Sequence, residues 1–277
     1  MKTKSGKEVF PIGIGTWKIS GEFTLNPSEK YNGAKPVYGN EDSDIDALHY
    51  SISKGQNHFD CAELYGAFYT DEVVGRAIKD SVREDLFLAD KLWKCSVGKG
   101  LVRPTVEKML KKLGTDYLDM LYIHAPWDDS PWAEAIPQID ELIEEGIVRK
   151  FGVSNFTVEQ MREAMAISKN GIAANQMNYN VLHKDEVNQA FQEFCTENNI
   201  VIVAYQPVKR QEVLENDIIQ EIAKTNSSTA AQVALAWLLS KNTLPIPKAT
   251  KKAHIDENVG AASIKLSPED ISRLDRI

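Results

Sequence analysis

A chain of 277 residues with 43% apolar and 26% charged positions has the composition of a globular protein, long enough to bury a core without disulfides or metals. Its formal net charge of −8 argues against a nucleic-acid surface. No apolar run approaches the ~18 residues of a membrane span, which leaves no membrane role to expect.

Periodicity alternates between strand-like and helix-like stretches from one end to the other. An opening hairpin is expected with SGKE (5–8) as its turn, then a strand over PIGIGTW (11–17). A long polar loop (20–40) follows, read as lying over one end of the fold. The spacing then predicts a helix over 42–55, a strand over 57–62 and a helix over 70–80 capped by Thr70. A strand over 85–93 precedes a helix over 103–114, opened by proline and closed by glycine. A strand at 117–125 and a helix at 132–146 complete the first half. The second half repeats the theme with strands at 149–156, 172–179, 200–208 and 243–249. Their helices fall at 157–168, 184–199, 217–226 with 228–242, and 254–264, and a last helix follows SPED (267–270). Eight strand–helix units without a linker predict an α/β fold, a closed (β/α)8 TIM barrel with an N-terminal β-hairpin, as one domain over 1–277. An open doubly wound sheet is the alternative, but GIGTW runs into no helix and so lacks the Rossmann turn.

Polar residues recur at the C-terminal ends of successive predicted strands: Asp60, Lys91, His124, Ser154 with Asn155, Gln176, Tyr205 and Lys248. Singly, each has an ordinary explanation: Asp60 as a loop cap, His124 as a satisfied core histidine, Lys248 as a solvated residue after a strand. Together they resist that explanation. Barrels are filled by branched apolar layers, and an unpaired buried polar group costs about 1–3 kcal/mol. In a barrel these ends converge on one mouth, where active sites are built. Asp60 and Lys91, on adjacent strands, can pair as ions. A lysine beside Tyr65 is expected to lower the phenol pKa from near 10, making Tyr65 a proton donor. His124 can orient a carbonyl oxygen, and carbonyl reduction then needs a nicotinamide to supply the hydride. Ser154, Asn155 and Gln176 can hold its carboxamide, and Tyr205 offers a stacking ring.

The motifs GIGTW, FDCAELYG with DEVVGRAIKD, LADKLW, YIHAP, FGVSNF, NQMNYN, AYQP and IPKATKKAHIDEN occur in this order. With them the chain resembles the aldo-keto reductase family from its hairpin to its last helix. The resemblance implies a catalytic tetrad of Asp60, Tyr65, Lys91 and His124, with Tyr65 the proton donor and Lys91 its modulator. It implies NADP(H) as cofactor, with Gly15, Thr16, Trp17 and Asp60 beside the nicotinamide ribose. Ser154, Asn155 and Gln176 match the carboxamide ligands, Tyr205 the stacking ring, and Gln206 and Pro207 continue that motif. Lys248, Ala249, Thr250, His254, Glu257 and Asn258 match the adenosine-phosphate end. Trp17, Tyr65, Trp93 and His124 are the expected substrate contacts.

The chain also departs from the family pattern. Ala249 stands where the family often has serine, and His254 where an arginine is common. One hydroxyl and one fixed charge for the 2′-phosphate are therefore missing, while Lys248 and Thr250 remain. A charge-assisted contact to phosphate contributes on the order of 1.5–3 kcal/mol. NADPH is expected to be preferred over NADH by a narrower margin. Ala125 replaces a frequent tryptophan after the histidine, and Trp127 is the residue positioned to compensate. Cys61, Cys95 and Cys195 read as reduced packing thiols, the five histidines lack metal-ligand spacing, and MKTKSGKEVF lacks a signal peptide's apolar stretch. A cytoplasmic enzyme without metal, acting on a small carbonyl compound as a monomer or small homo-oligomer, is the resulting expectation. Two other readings stand beside it: a Schiff-base aldolase using Lys91, and a cofactor-bound barrel serving a sensing or regulatory role.

Overall fold

The computed structural model describes residues 1–19, 41–208 and 210–277. The loop expected over 20–40 lies outside the described residues. Eight parallel strands form one sheet in strict chain order: β1 (Ile14–Gly15), β2 (His58–Asp60), β3 (Phe87–Leu92), β4 (Met120–Ile123), β5 (Phe151–Ser154), β6 (Ala174–Asn178), β7 (Val201–Tyr205) and β8 (Leu244–Pro245). Backbone bonds from Gly13 N–H to the Pro245 carbonyl (2.9 Å) and from Gly15 N–H to that of Pro247 (3.1 Å) join the last strand to the first. The sheet thereby closes into the (β/α)8 barrel. At the N-terminus Lys2 bridges Glu8 in antiparallel fashion, with Thr3 N–H donating to the Lys7 carbonyl at 2.9 Å and Val9 N–H to that of Met1 at 3.0 Å.

Alternation along each strand sorts side chains between two cores. Phe87 and Ala89 of β3 join Met120 and Tyr122 of β4, Ala174 and Val203 in the buried barrel interior. Leu88, Leu92, Leu121, Ile123 and Val153 pack outward under the helices. Gly152 is required where it stands: a Cβ there would meet the Tyr122 ring at 2.5 Å. Lys91 shares the inward parity of Phe87 and Ala89 and is fully buried one layer higher. Asp90 has the opposite parity.

The covering helices that bear on the site are α1 (Glu41–Ser53), α2 (Tyr69–Ile78), α3 (Val102–Leu113), α4 (Trp132–Glu144), α5 (Val158–Ile167), α6 (Gln189–Glu197), α7 (Arg210–Leu214), α8 (Asp217–Thr225), α9 (Ala230–Ser240), α10 (Lys252–Ala261) and α11 (Pro268–Asp275). Gly114 closes α3 at φ 68°, as its sequence position implies. A capping box of Thr157 and Gln160 opens α5. Thr70 is not a cap: it lies inside α2, and its hydroxyl donates to the Ile19 carbonyl at 3.0 Å. The helix expected over 184–199 divides into a 3-10 turn (Asp185–Val187) and α6, because the Asn188 side chain caps the Phe191 N–H. Among the described residues no helix is long and apolar enough to cross a membrane.

Candidate active site

The strand C-termini open into a cavity of about 1010 Å3. At its base β2 and β3 hold their two charges together. Lys91 Nζ donates to Asp60 Oδ2 at 2.7 Å and to the Cys61 carbonyl at 2.6 Å, and lies 3.4 Å from the Tyr65 hydroxyl. The other Asp60 oxygen accepts from Gln176 Nε2 at 2.7 Å. Both charges are buried, so the pair and its extra hydrogen bonds offset a desolvation cost neither could meet alone. Thr16 ties the end of β1 to the same point, its hydroxyl donating to the Asp60 carbonyl at 2.7 Å.

Tyr65 opens a 3-10 turn beyond β2. Its ring stands against Trp17, with centroids 5.0 Å apart, and 6.1 Å from the His124 imidazole. Burial pushes the phenol up to about 12, against the opposing pull of Lys91. The sequence reading expected a lowered value, and the reversal has a geometric cause. The ammonium spends its closest contacts on Asp60 and Cys61, and the crowded mouth disfavours a phenolate more than one cation at 3.4 Å favours it. Burial also pulls on Lys91, but Asp60 and Tyr65 outweigh it and hold the amine above its ordinary value, as a cation. Burial, aided by Lys91, drives His124 well below the usual histidine range. The imidazole is neutral at pH 7, and its buried Nδ1 has no hydrogen-bond partner among the described residues.

A second network links β5, β6 and β7. The Ser154 hydroxyl donates to the Gln176 carbonyl at 2.9 Å. Asn155 Nδ2 donates to Ser154 Oγ at 3.1 Å and to the His124 carbonyl at 3.3 Å. The Tyr205 hydroxyl donates to Asn155 Oδ1 at 2.9 Å, fixing the ring. Asn155 and Gln206 adopt left-handed backbone, φ 61° and 49°. Asparagine tolerates that region, whereas glutamine pays roughly 1–2 kcal/mol for it, local strain of the kind held at binding sites.

Of the expected cofactor contacts, Gly15, Trp17, Asp60, Ser154, Asn155, Gln176, Tyr205, Gln206, Pro207, Lys248, His254, Glu257 and Asn258 all line this cavity. Thr16, Ala249 and Thr250 do not. Thr16 is fully buried behind Asp60, and Ala249 packs with Ala47 and Ile255 beneath α10. Thr250 is placed 3.5 Å from Lys248 Nζ. The expected substrate contacts Trp17, Tyr65, Trp93 and His124 also line the cavity. Trp127 lines the cavity together with Ala125, its ring 4.7 Å from that of Trp93 and 6.3 Å from His124.

The sequence reading missed Leu64, Val208, Leu214, Thr229 and Ala231, all of which line the same space. Val208 and Leu214 are apolar residues in a largely polar connection after β7, a signal that was present. Thr229 and Ala231 read only as the start of a helix, and nothing local shows that it points into the mouth.

Comparison with known proteins matches residues 11–277 to the model of the aldo/keto reductase family. The chain belongs to the aldo/keto reductase family. A glyoxal reductase of Bacillus subtilis is 28% identical over 279 residues, spanning 100% of this chain and 92% of the relative. A thermostable aldo-keto reductase crystallised with the inhibitor epalrestat superposes with a TM-score of 0.88 at 35% identity, over 100% of this chain and 98% of that one. An aldo/keto reductase from Klebsiella pneumoniae, in complex with NADP and acetate, superposes at 0.84 with 29% identity, over 99% and 93%. Aldo/keto reductase membership thus extends over the barrel and the motifs at its mouth.

Proposed function

We propose that this protein reduces aldehydes or ketones to alcohols with NADPH, the proton coming from Tyr65. One arrangement carries the reading: a phenol, a buried ammonium 3.4 Å from it and a neutral imidazole meet at the base of one large cavity. The cavity, about 1010 Å3, stands at the upper end of the range for small-molecule sites and suits a dinucleotide with a small substrate. Its donors suit the same ligand. Ser154, Asn155 and Gln176 with the Tyr205 ring would hold the nicotinamide, and Lys248, His254, Glu257 and Asn258 would face the adenosine phosphate. When bound, the nicotinamide supplies the hydride that no side chain carries. The relatives named for glyoxal reduction or crystallised with NADP support this cofactor and substrate class.

The remaining chemistry falls to this chain's residues. His124 orients the carbonyl oxygen without contributing charge. Tyr65, protonated at neutral pH, hydrogen-bonds that oxygen and yields its proton as negative charge develops there. Lys91 stabilises the phenolate left behind, and Asp60 keeps Lys91 in place. Trp17, Trp93 and Trp127 exclude water from the reacting oxygen. A lysine held as a cation is a poor imine former, which disfavours the aldolase reading. With Ala249 buried and His254 in place of a permanent cation, Lys248 is left as the main phosphate contact. NADPH is favoured over NADH by a narrow margin. The same reading takes 1–277 as one catalytic domain acting in the cytoplasm as a monomer or small homo-oligomer.

The test is an absorbance assay of NADPH and NADH oxidation with aldehydes, ketones and sugars, run on the wild type and Tyr65→Phe. The wild type should oxidise NADPH with aldehydes, and Tyr65→Phe should lose turnover yet bind NADPH normally. Full activity in Tyr65→Phe would remove Tyr65 as the acid. Equal Michaelis constants for the two cofactors would refute the preference.

A further inference from the structure

Glu63 lies on the sequence between Asp60 and Tyr65 and has no part in the chemistry above, yet it is 2% exposed. A buried carboxylate with no cation bonded to it among the described residues calls for a reason. Its bonds supply one. Oε2 accepts the backbone N–H of Trp93 at 2.7 Å, and Oε1 accepts the Ser96 hydroxyl at 2.7 Å, with the Cys95 thiol at 3.8 Å. Its own N–H donates to the Lys91 carbonyl at 3.1 Å, and its carbonyl accepts from Phe68 N–H at 3.1 Å. Residue 63 therefore joins three pieces: the turn that carries Tyr65, the end of β3 that carries Lys91, and the loop that carries Trp93. Trp93 in turn packs edge-on against His124, centroids 5.1 Å apart.

We propose that Glu63 is a positioning residue for carbonyl reduction, locking the Trp93 loop so that its indole fixes the carbonyl-binding face of His124. The inference rests on the reductase reading. The two oxygens have separate tasks, since Trp93 N–H has lost its sheet partner at the strand end and Ser96 pins the turn that follows. Burial holds the Glu63 carboxyl above its ordinary range, only partly countered by the Trp93, Ser96 and Cys95 donors. A neutral glutamine would serve nearly as well, its oxygen accepting from Trp93 and its amide donating to Ser96 Oγ. Alanine would serve neither.

The experiment compares Glu63→Ala with Glu63→Gln. With benzaldehyde, Glu63→Ala should raise KM roughly tenfold, the scale of a small misplacement in a binding wall, with the NADPH dissociation constant within about twofold of wild type. The indole emission of Trp93, isolated by subtracting each protein's Trp93→Phe counterpart, should shift to the red. Glu63→Gln should recover most of both changes. An unchanged KM with unchanged emission in Glu63→Ala overturns the proposal, as does a glutamine variant no better than alanine. If Glu63→Ala does not fold, Ser96→Ala decides: a smaller rise in KM with the same direction of emission shift supports the clamp, and neither change overturns it. The emission readout needs no turnover, so a wild type inactive with NADPH would sink the reductase reading while still testing the clamp.

Discussion

At the scale of single residues, which side chains gather at the barrel mouth was legible and their electrostatics were not. Asp60, Lys91, His124 and Tyr205 could be picked out because barrel topology gathers strand ends, and strand parity says which residues face inward. The sign of the Tyr65 shift depends on how much of the mouth is closed over it, a tertiary quantity with no local signature. The raised phenol changes what pH should do. A proton donor works in its protonated form, and a phenol pushed up to about 12 is protonated throughout the neutral range. At pH ~9 only about one molecule in a thousand would be ionised. His124, held well below the usual range, is neutral over the same interval and adds no acid limb near its ordinary pKa. The rate of aldehyde reduction at saturating NADPH should therefore be nearly flat from about pH 6 to about pH 9. A fall of about tenfold between pH ~7 and ~9 would mean an acidified phenol.

At the scale of elements, local chemistry marked the helix ends well and tertiary bonds overrode it in places. Gly114 and the Thr157 capping box behave as their sequences imply. Thr70 looked like a cap but serves to tie α2 to Ile19, and α7 was missed because five residues carry too short a period to recognise. Two carboxyls, one on α2 and one on β3, are something no periodicity reveals. Asp71 of α2 and Asp90 of β3 are fully buried, and neither Asp71 oxygen nor Asp90 Oδ2 has a hydrogen-bond partner among the described residues. Asp90 Oδ1 accepts from Lys91 N–H at 2.7 Å. Burial raises Asp90 to about 8 despite that bond and the charge of Lys91, and Asp71 and Glu63 are raised as well. A carboxyl whose folded pKa lies above its unfolded value gives stability that is full below the unfolded pKa, near 4, and is lost as pH rises through the folded one. Native Asp90 thus costs progressively more between about pH 4 and about pH 8. Asparagine keeps the acceptor for Lys91 N–H and cannot ionise. In denaturant unfolding, Asp90→Asn should gain on the wild type by a few kcal/mol between pH ~5 and ~8. A difference independent of pH would show that Asp90 is not protonated in the fold.

At the scale of the whole molecule, the site depends on a seam that is thin in hydrogen bonds. β1 and β8 have two residues each, shorter than the strand expected over 11–17, and the bonds of Gly13 and Gly15 to Pro245 and Pro247 join them. Proline cannot donate, so positions 245 and 247 give the seam carbonyls and take nothing back through their own nitrogens. The approach is close: a Cβ on Gly15 would meet the Ile246 carbonyl at 2.5 Å and the Pro247 carbonyl carbon at 3.4 Å. These are backbone atoms, unable to swing aside as a side-chain tip would. Gly15→Ala must therefore push the seam apart, at a cost of about 1–3 kcal/mol for a forced backbone shift. The shift has a functional direction. On one side of the seam are Trp17 and the Thr16 bond to Asp60, and on the other is Lys248. Spreading it moves the expected nicotinamide and adenosine contacts in opposite senses, so NADPH affinity should fall with stability. Thermal unfolding and NADPH titration of Gly15→Ala read both quantities. A variant that keeps its melting temperature and its NADPH affinity would mean that the barrel closes without this contact.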